Sequence, residues 1–87
     1  MEGLTDRALV EYQKVLWLDP LFVMAHYLSA KVYDSLTDGE KRRRSLRNTV
    51  RSLERAADLP TVPFSGGLSR SVFLEIVNRE LSEASDI

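Results

Sequence analysis

The apolar positions of this chain recur at helical spacing in three stretches, pause at a proline-bearing break, and recur in a fourth. The clearest pattern lies between Leu21 and Glu54, two helical arms separated by Thr37-Asp38-Gly39. On the first arm Phe22, His26, Ala30 and Tyr33 follow one another at intervals of four, four and three, which puts them on one helical face. Leu46, Val50, Leu53 and Ala57 do the same on the second. Upstream, Leu4 to Leu18 reads as a first helix with Thr5 as N-cap and Ala8, Tyr12, Val15 and Leu16 as its stripe. It ends at Asp19-Pro20, since proline restricts the residue before it. The same pair predicts a helix from Pro20 to Leu36, with Asp19 as its cap and Pro20 at the first helical position. Thr37 or Asp38 then caps a third helix from Gly39 to Ala57, and Thr37-x-x-Glu40 matches a capping box.

After Ala57 the pattern changes. Asp58-Leu59-Pro60-Thr61-Val62-Pro63 carries two prolines three apart and predicts an extended connector, followed by a flexible turn at Ser65-Gly66-Gly67. Ser69 is placed to cap a fourth helix reaching Ala84, with Val72, Phe73, Ile76, Val77 and Leu81 as its apolar face and Leu68 stapled against Phe73. The expectation is one all-α domain of about four helices, divided into residues 1–57, a connector over 58–68 and a packing helix over 69–84. At 87 residues a chain buries only about 60 to 65% of the surface its unfolded form exposes, so modest stability is expected.

Composition adds exclusions. Without cysteine there is no disulfide or thiolate metal site, which fits a reducing, cytoplasmic setting. No apolar run approaches the roughly 18 residues of a membrane span, and the first residues lack a signal-peptide layout, so no membrane insertion is expected. The formal net charge of −1 conceals an asymmetry. Residues 41–55 hold seven basic residues against Glu54, a local charge of +6, and the remainder carries −7. A surface polarised in this way attracts an anionic partner at short range.

Overlaying the chain on itself at 34 residues brings Ala8, Tyr12, Val15, Leu16 and Leu18 onto Arg42, Leu46, Thr49, Val50 and Ser52. Residues 3–54 thereby resemble the tetratricopeptide repeat family, whose unit is a helix A, a turn and a helix B closing on proline. Gly3, Ala8, Tyr12, Val15, Leu16 and Pro20 match one helix B. His26 stands where the family has Trp, Ala30 at the small residue of the helix contact, Tyr33 at the Tyr, and Arg42, Leu46 and Thr49 on the next helix B. The chain departs from the pattern with Ser29 for Leu, Thr37 for Gly, Arg42 for Ala and Glu54 for Pro. The wider layout, an Arg-rich RRSLRNTVRSLE helix, a proline connector and a final GGLSRSVFLEIV helix, is similar to the C-terminal extension of chemotaxis-type protein-glutamate methyltransferases. The resemblance implies a regulatory or docking domain, inactive by itself, whose S-adenosylmethionine-dependent catalytic domain precedes it. A chemoreceptor, a signalling protein or the parent's own catalytic domain is the implied protein partner. Two alternatives remain open, a general repeat scaffold or co-chaperone fragment and a nucleic-acid-binding helical domain.

Candidate chemistry is sparse. His26 is the only histidine, so neither a multi-His metal site nor a Ser-His-Asp set can be assembled, and a packed histidine is the simpler reading. Gly66-Gly67 lacks the spacing of a phosphate loop. No catalytic, cofactor or metal residue is assigned. Two partner-binding sets are. Met24, Tyr27, Leu28, Lys31, Asp34 and Ser35 lie opposite the packed positions of their helix and, by the resemblance, would line a short concave peptide groove. Arg43, Arg47 and Arg51, with Arg44 and Arg55, fall within about 120° on the third helix, while Arg42 snorkels from the edge of the packed face. That stripe is either a solvated outer face or a docking surface for an acidic partner or the catalytic domain. The overall acidic balance and the lack of interleaved aromatics argue against nucleic acid. Finally, Leu4–Leu18 is a helix B without its helix A, so Leu9, Val10 or Trp17 should sit at an uncovered edge that a preceding segment or a weakly bound second copy would close.

Overall fold

The structure is a computed structural model that describes residues 2–56, 61–63 and 65–85. Four α-helices account for most of them: α1 (Glu2–Leu18), α2 (Val23–Ser35), α3 (Gly39–Arg55) and α4 (Arg70–Ser85). No strand occurs among the described residues, only an isolated antiparallel bridge between Thr61 and Ser69. The chain is all-α, as the periodicity predicts. The helix backbones pack stepwise, α1 against α2, α2 against α3 and α3 against α4, and α4 also reaches α2 through side chains, Phe73 to Tyr27 and Glu80 to Lys31.

The ends of the helices follow from local chemistry and correct several expectations. Helix α1 runs from Glu2 to Leu18, so Thr5, expected before its first turn, lies within it. Pro20 does not open α2. Asp19 Oδ1 accepts from the Leu21 N–H at 3.2 Å and the Asp19 carbonyl accepts from the Phe22 N–H at 3.1 Å, making Asp19–Phe22 a closed turn. Proline at the second position of a turn and aspartate at the first satisfy the same φ restriction that helix entry would. Helix α2 therefore begins at Val23, with Phe22 as an N-cap that makes no side-chain cap bond.

At the other end of α2, the Asp38 N–H reaches the Tyr33 carbonyl at 2.9 Å and the Thr37 N–H reaches that of Asp34 at 3.0 Å. These paired bonds define a Schellman ending, which needs a left-handed residue after the helix. Thr37 supplies it, with φ of 56°. Its hydroxyl donates to the Leu36 carbonyl, and its left-handed backbone closes α2 and does not open α3, so the expected capping box of Thr37 with Glu40 gives way to a cap one residue later. Asp38 caps α3 instead, accepting from the Lys41 N–H at 3.2 Å.

Helix α3 ends at Arg55, and of the expected Ala57 and connector, residues 57–60 and 64 fall outside the described set. The described remainder is a closed loop. The Val62 N–H donates to the Leu68 carbonyl at 2.9 Å, and Ser65 Oγ both donates to the Val62 carbonyl and accepts from the Leu68 N–H. Gly66 and Gly67 have φ of 77° and 91°, a turn region open to glycine at little cost. This loop turns Val62 inward until only 4% of it is exposed. Ser69 caps α4 as expected, its Oγ accepting from the Val72 N–H at 3.2 Å.

The core consists of Val23, Ala30, Leu46, Leu53, Val62, Phe73 and Val77, with Met24, Tyr27, Val50, Leu68, Leu74 and Leu81 packed against it. Phe22, His26 and Tyr33, expected beside Ala30, are only half-buried, because α2 sits between α1 and α3 and buries Val23, Ala25 and Ser29 as well. On α4 the expected Val72 is exposed and Leu74 takes its place. No described side chain of α1 belongs to this core. Two of the residues that depart from the repeat pattern find local partners: buried Ser29 donates to the Ala25 carbonyl at 2.6 Å, and half-buried Arg42 sends its Nε to 3.6 Å from Asp34.

Candidate partner-binding surfaces

The face of α2 expected to form an open groove is largely engaged within the chain. Tyr27 meets Phe73 of α4 edge-on, with ring centroids 4.9 Å apart, and Met24 packs against the core. Neither lies opposite the packed residues as the sequence suggests. Lys31 forms an ion pair with Glu80 of α4 while its Nζ sits 4.9 Å from the centre of the Tyr27 ring. Burial, opposed by Lys31 and reinforced by Glu80, lifts the Tyr27 phenol above its ordinary value. For Lys31, burial alone would lower the ammonium, yet Glu80 and Tyr27 together hold it above the usual lysine value. One Glu80 oxygen, Oε2, is buried without a hydrogen-bond partner. Nothing local in the sequence couples Lys31 to Glu80, 49 residues away. Of the remaining groove candidates, Leu28 is half-buried, Asp34 is exposed and paired with Arg42, and Ser35 is exposed with its hydroxyl donating to the Val32 carbonyl.

The arginines of α3 divide. Arg43 is half-buried and its guanidinium folds back over Gly39, where an added Cβ would stand 3.3 Å from Nη1. Arg44, Arg47, Arg51 and Arg55 are exposed and make no ion pair or hydrogen bond among the described residues. At 100° per residue these four occupy an arc of about 80° and, at 1.5 Å per residue, span about 16 Å. Unlike Arg42 and Lys41, which meet Asp34 and Asp38, they present uncompensated positive charge to solvent. The sequence locates this stripe but misplaces one of its members, Arg43.

Where the Asp19–Phe22 turn approaches α3, a cleft of about 240 Å³ is lined by Pro20, Leu21, His26, Asn48, Arg51 and Arg55, with Ser52 at its base. His26 is half-buried and lies outside the core cluster. Its Nε2 donates to the Pro20 carbonyl at 2.8 Å, which fastens the turn to α2. Asn48 has no conspicuous sequence signal, since a single amide on an Arg-rich helix reads as ordinary surface.

The α1 edge is open. Trp17 is 86% exposed and Leu18 85%, with Val10 and Leu21 also exposed, whereas Leu9 is half-buried. Among the described residues no group of His, Asp and Glu could hold a metal ion, and no helix is long and apolar enough to cross a membrane. No family model, curated protein or solved structure matches the chain.

Proposed function

We propose that this chain is a non-catalytic protein-interaction domain of the tetratricopeptide-repeat type, acting as the regulatory region of a chemotaxis-type receptor methyltransferase. The stepwise packing of the helix backbones, α1 on α2, α2 on α3 and α3 on α4, carries the reading, because helical repeats build interaction surfaces by stacking each element chiefly on its sequence neighbours. The Schellman ending at Thr37 supports it further, since it gives the departing residue the conformation of the glycine that the family uses there. The methyltransferase setting rests on the sequence resemblance of the Arg-rich helix, the connector and the final helix. Its partner is a protein: a chemoreceptor, a signalling protein or the parent's catalytic domain.

Two measurements separate the parts of this reading. Calorimetric titration with S-adenosylmethionine is expected to give no binding heat, as the chain has neither a parallel sheet nor a Gly-rich strand-to-helix turn among its described residues to hold that cofactor; micromolar affinity would overturn the non-catalytic assignment. Sequencing the gene upstream of residue 1 is expected to reveal a methyltransferase domain. An unrelated upstream domain would remove the chemotaxis setting and leave the interaction domain standing.

A further inference from the structure

We propose that the cleft between the Asp19–Phe22 turn and α3 is a carboxylate-binding site that docks an acidic segment of a partner protein. The inference rests on the interaction-domain reading and names the chemistry of its partner. Arg51 and Arg55 lie one helical turn apart on one wall, both exposed and without a counter-ion among the described residues. Guanidinium groups present forked N–H donors that match a carboxylate in two parallel bonds, so an unpaired i, i+4 pair beside a cavity is suited to capture one or two carboxylates. Asn48, one turn earlier on α3, adds an amide donor to the same wall.

The opposite wall is apolar. Pro20 and Leu21 face the arginines across the cleft, and Leu21 is 42% exposed. Glutamate fits such a pair of walls: its methylenes can lie along Pro20 and Leu21 while its carboxylate meets the guanidinia. The turn that carries this wall is fixed by three hydrogen bonds, from Leu21 to the Asp19 side chain, from Phe22 to the Asp19 carbonyl and from His26 to the Pro20 carbonyl, so the cleft is preformed. At about 240 Å³ it is roomy enough for a side-chain carboxylate. Beyond the cleft, Arg47 and Arg44 continue the positive stripe toward the start of α3, giving an acidic segment a path about 16 Å long from Arg55 to Arg44.

A protein segment suits this path better than nucleic acid. The stripe ends after four arginines, exposed Glu40 and Glu54 also lie on α3, and the chain outside residues 41–55 carries −7, so a longer polyanion meets repulsion on either side. No aromatic residue occurs on α3 to stack a base.

The test uses the full 87-residue chain with a fluorescein-labelled hexaglutamate peptide, its hexaglutamine counterpart and a hexathymidine oligonucleotide, read by fluorescence anisotropy at 50 and 300 mM NaCl. Hexaglutamate is expected to bind and hexaglutamine not, with weaker binding at the higher salt. The decisive comparison is between two double variants that remove the same charge. Arg51→Gln with Arg55→Gln, which empties the cleft wall, should weaken binding about tenfold, and Arg44→Gln with Arg47→Gln by about threefold or less. Unchanged far-ultraviolet circular dichroism shows that both variants fold, and chemical-shift changes at the Asn48 side-chain amide place the peptide. Equal losses in the two variants would mean a diffuse field and no site, and tighter binding of the oligonucleotide would mean the wrong partner class; either overturns the proposal, as does no binding of hexaglutamate. None of these results bears on the upstream methyltransferase domain, so that part of the functional reading stands or falls separately.

Discussion

Thr37 holds a backbone conformation that its own side chain disfavours, because a β-branched residue at positive φ crowds the following carbonyl. Replacing it with glycine is expected to stabilise the domain by about 0.5–1 kcal/mol, read as a higher urea midpoint at unchanged slope; the entropy that glycine loses on folding keeps the gain below the full steric relief. Leu53 is wholly buried at the centre of the core, and Leu53→Ala should cost about 2–5 kcal/mol, which may be compared by the same urea titration with exposed Val72→Ala, expected to stay within about 0.5 kcal/mol. The Tyr27, Lys31 and Glu80 cluster gives a pH dependence with a definite sign. Both Tyr27 and Lys31 hold their protons more tightly when folded, so their contribution is complete below the ordinary tyrosine value of 10.0 and is lost as pH rises beyond it. Tyr27→Phe should therefore lose less stability than the parent between pH 9 and about 11, measured by thermal unfolding, and equal losses would assign the alkaline sensitivity elsewhere.

The four helices were legible because their apolar residues recur at helical spacing, but periodicity does not mark where a helix starts. Asp19-Pro20 could open a helix or form a turn, since both need the same proline φ, and the choice went to the turn once Asp19 Oδ1 and the Pro20 carbonyl found partners at Leu21 and His26. Val62 was unreadable for a different reason: a single valine between prolines has no period, and its burial depends on Ser65 and Leu68 closing the loop around it. A link between elements also escapes the sequence, the bond from Arg70 Nε to the Leu53 carbonyl at 2.5 Å, which ties the first turn of α4 to the last turn of α3 at a carbonyl that also accepts from the Ala56 N–H. Among the described residues no α1 side chain belongs to the core and the α1 backbone packs only on α2, so α1 should open at lower free energy than the rest. Native-state hydrogen exchange is expected to give amides of residues 8–16 protection factors at least about tenfold below those of residues 45–53; equal protection would mean that α1 folds and unfolds with the core.

At the scale of the whole molecule, stepwise packing leaves two ends, and the two are unlike. Helix α4 seals one by giving Phe73 and Val77 to the core and Glu80 to Lys31, which is also why the concave face anticipated over Tyr27 and Lys31 is occupied: a groove inferred from one helix alone takes no account of a fourth helix laid across it. The basic surface, by contrast, was legible, because four like charges on one helical arc cannot all be buried and α3 must turn them outward. The other end, α1, has no covering element among the described residues, and its last turn exposes Trp17 and Leu18 almost fully beside exposed Leu21. Water meets the indole directly, so at low micromolar concentration Trp17 should emit as a solvated tryptophan open to acrylamide quenching. Apolar residues grouped at the end of a repeat stack are where a further unit, or a second copy, gains the most by binding. A two-fold contact through this edge is therefore expected to appear as concentration rises a hundredfold, seen together as a larger sedimentation coefficient and a blue shift of Trp17 emission, with both changes abolished by Trp17→Ser. The paired readout matters because aggregation through another face would raise the sedimentation coefficient and leave the indole wet. A strictly monomeric chain with unchanged Trp17 emission throughout would mean that this edge does not pair with itself.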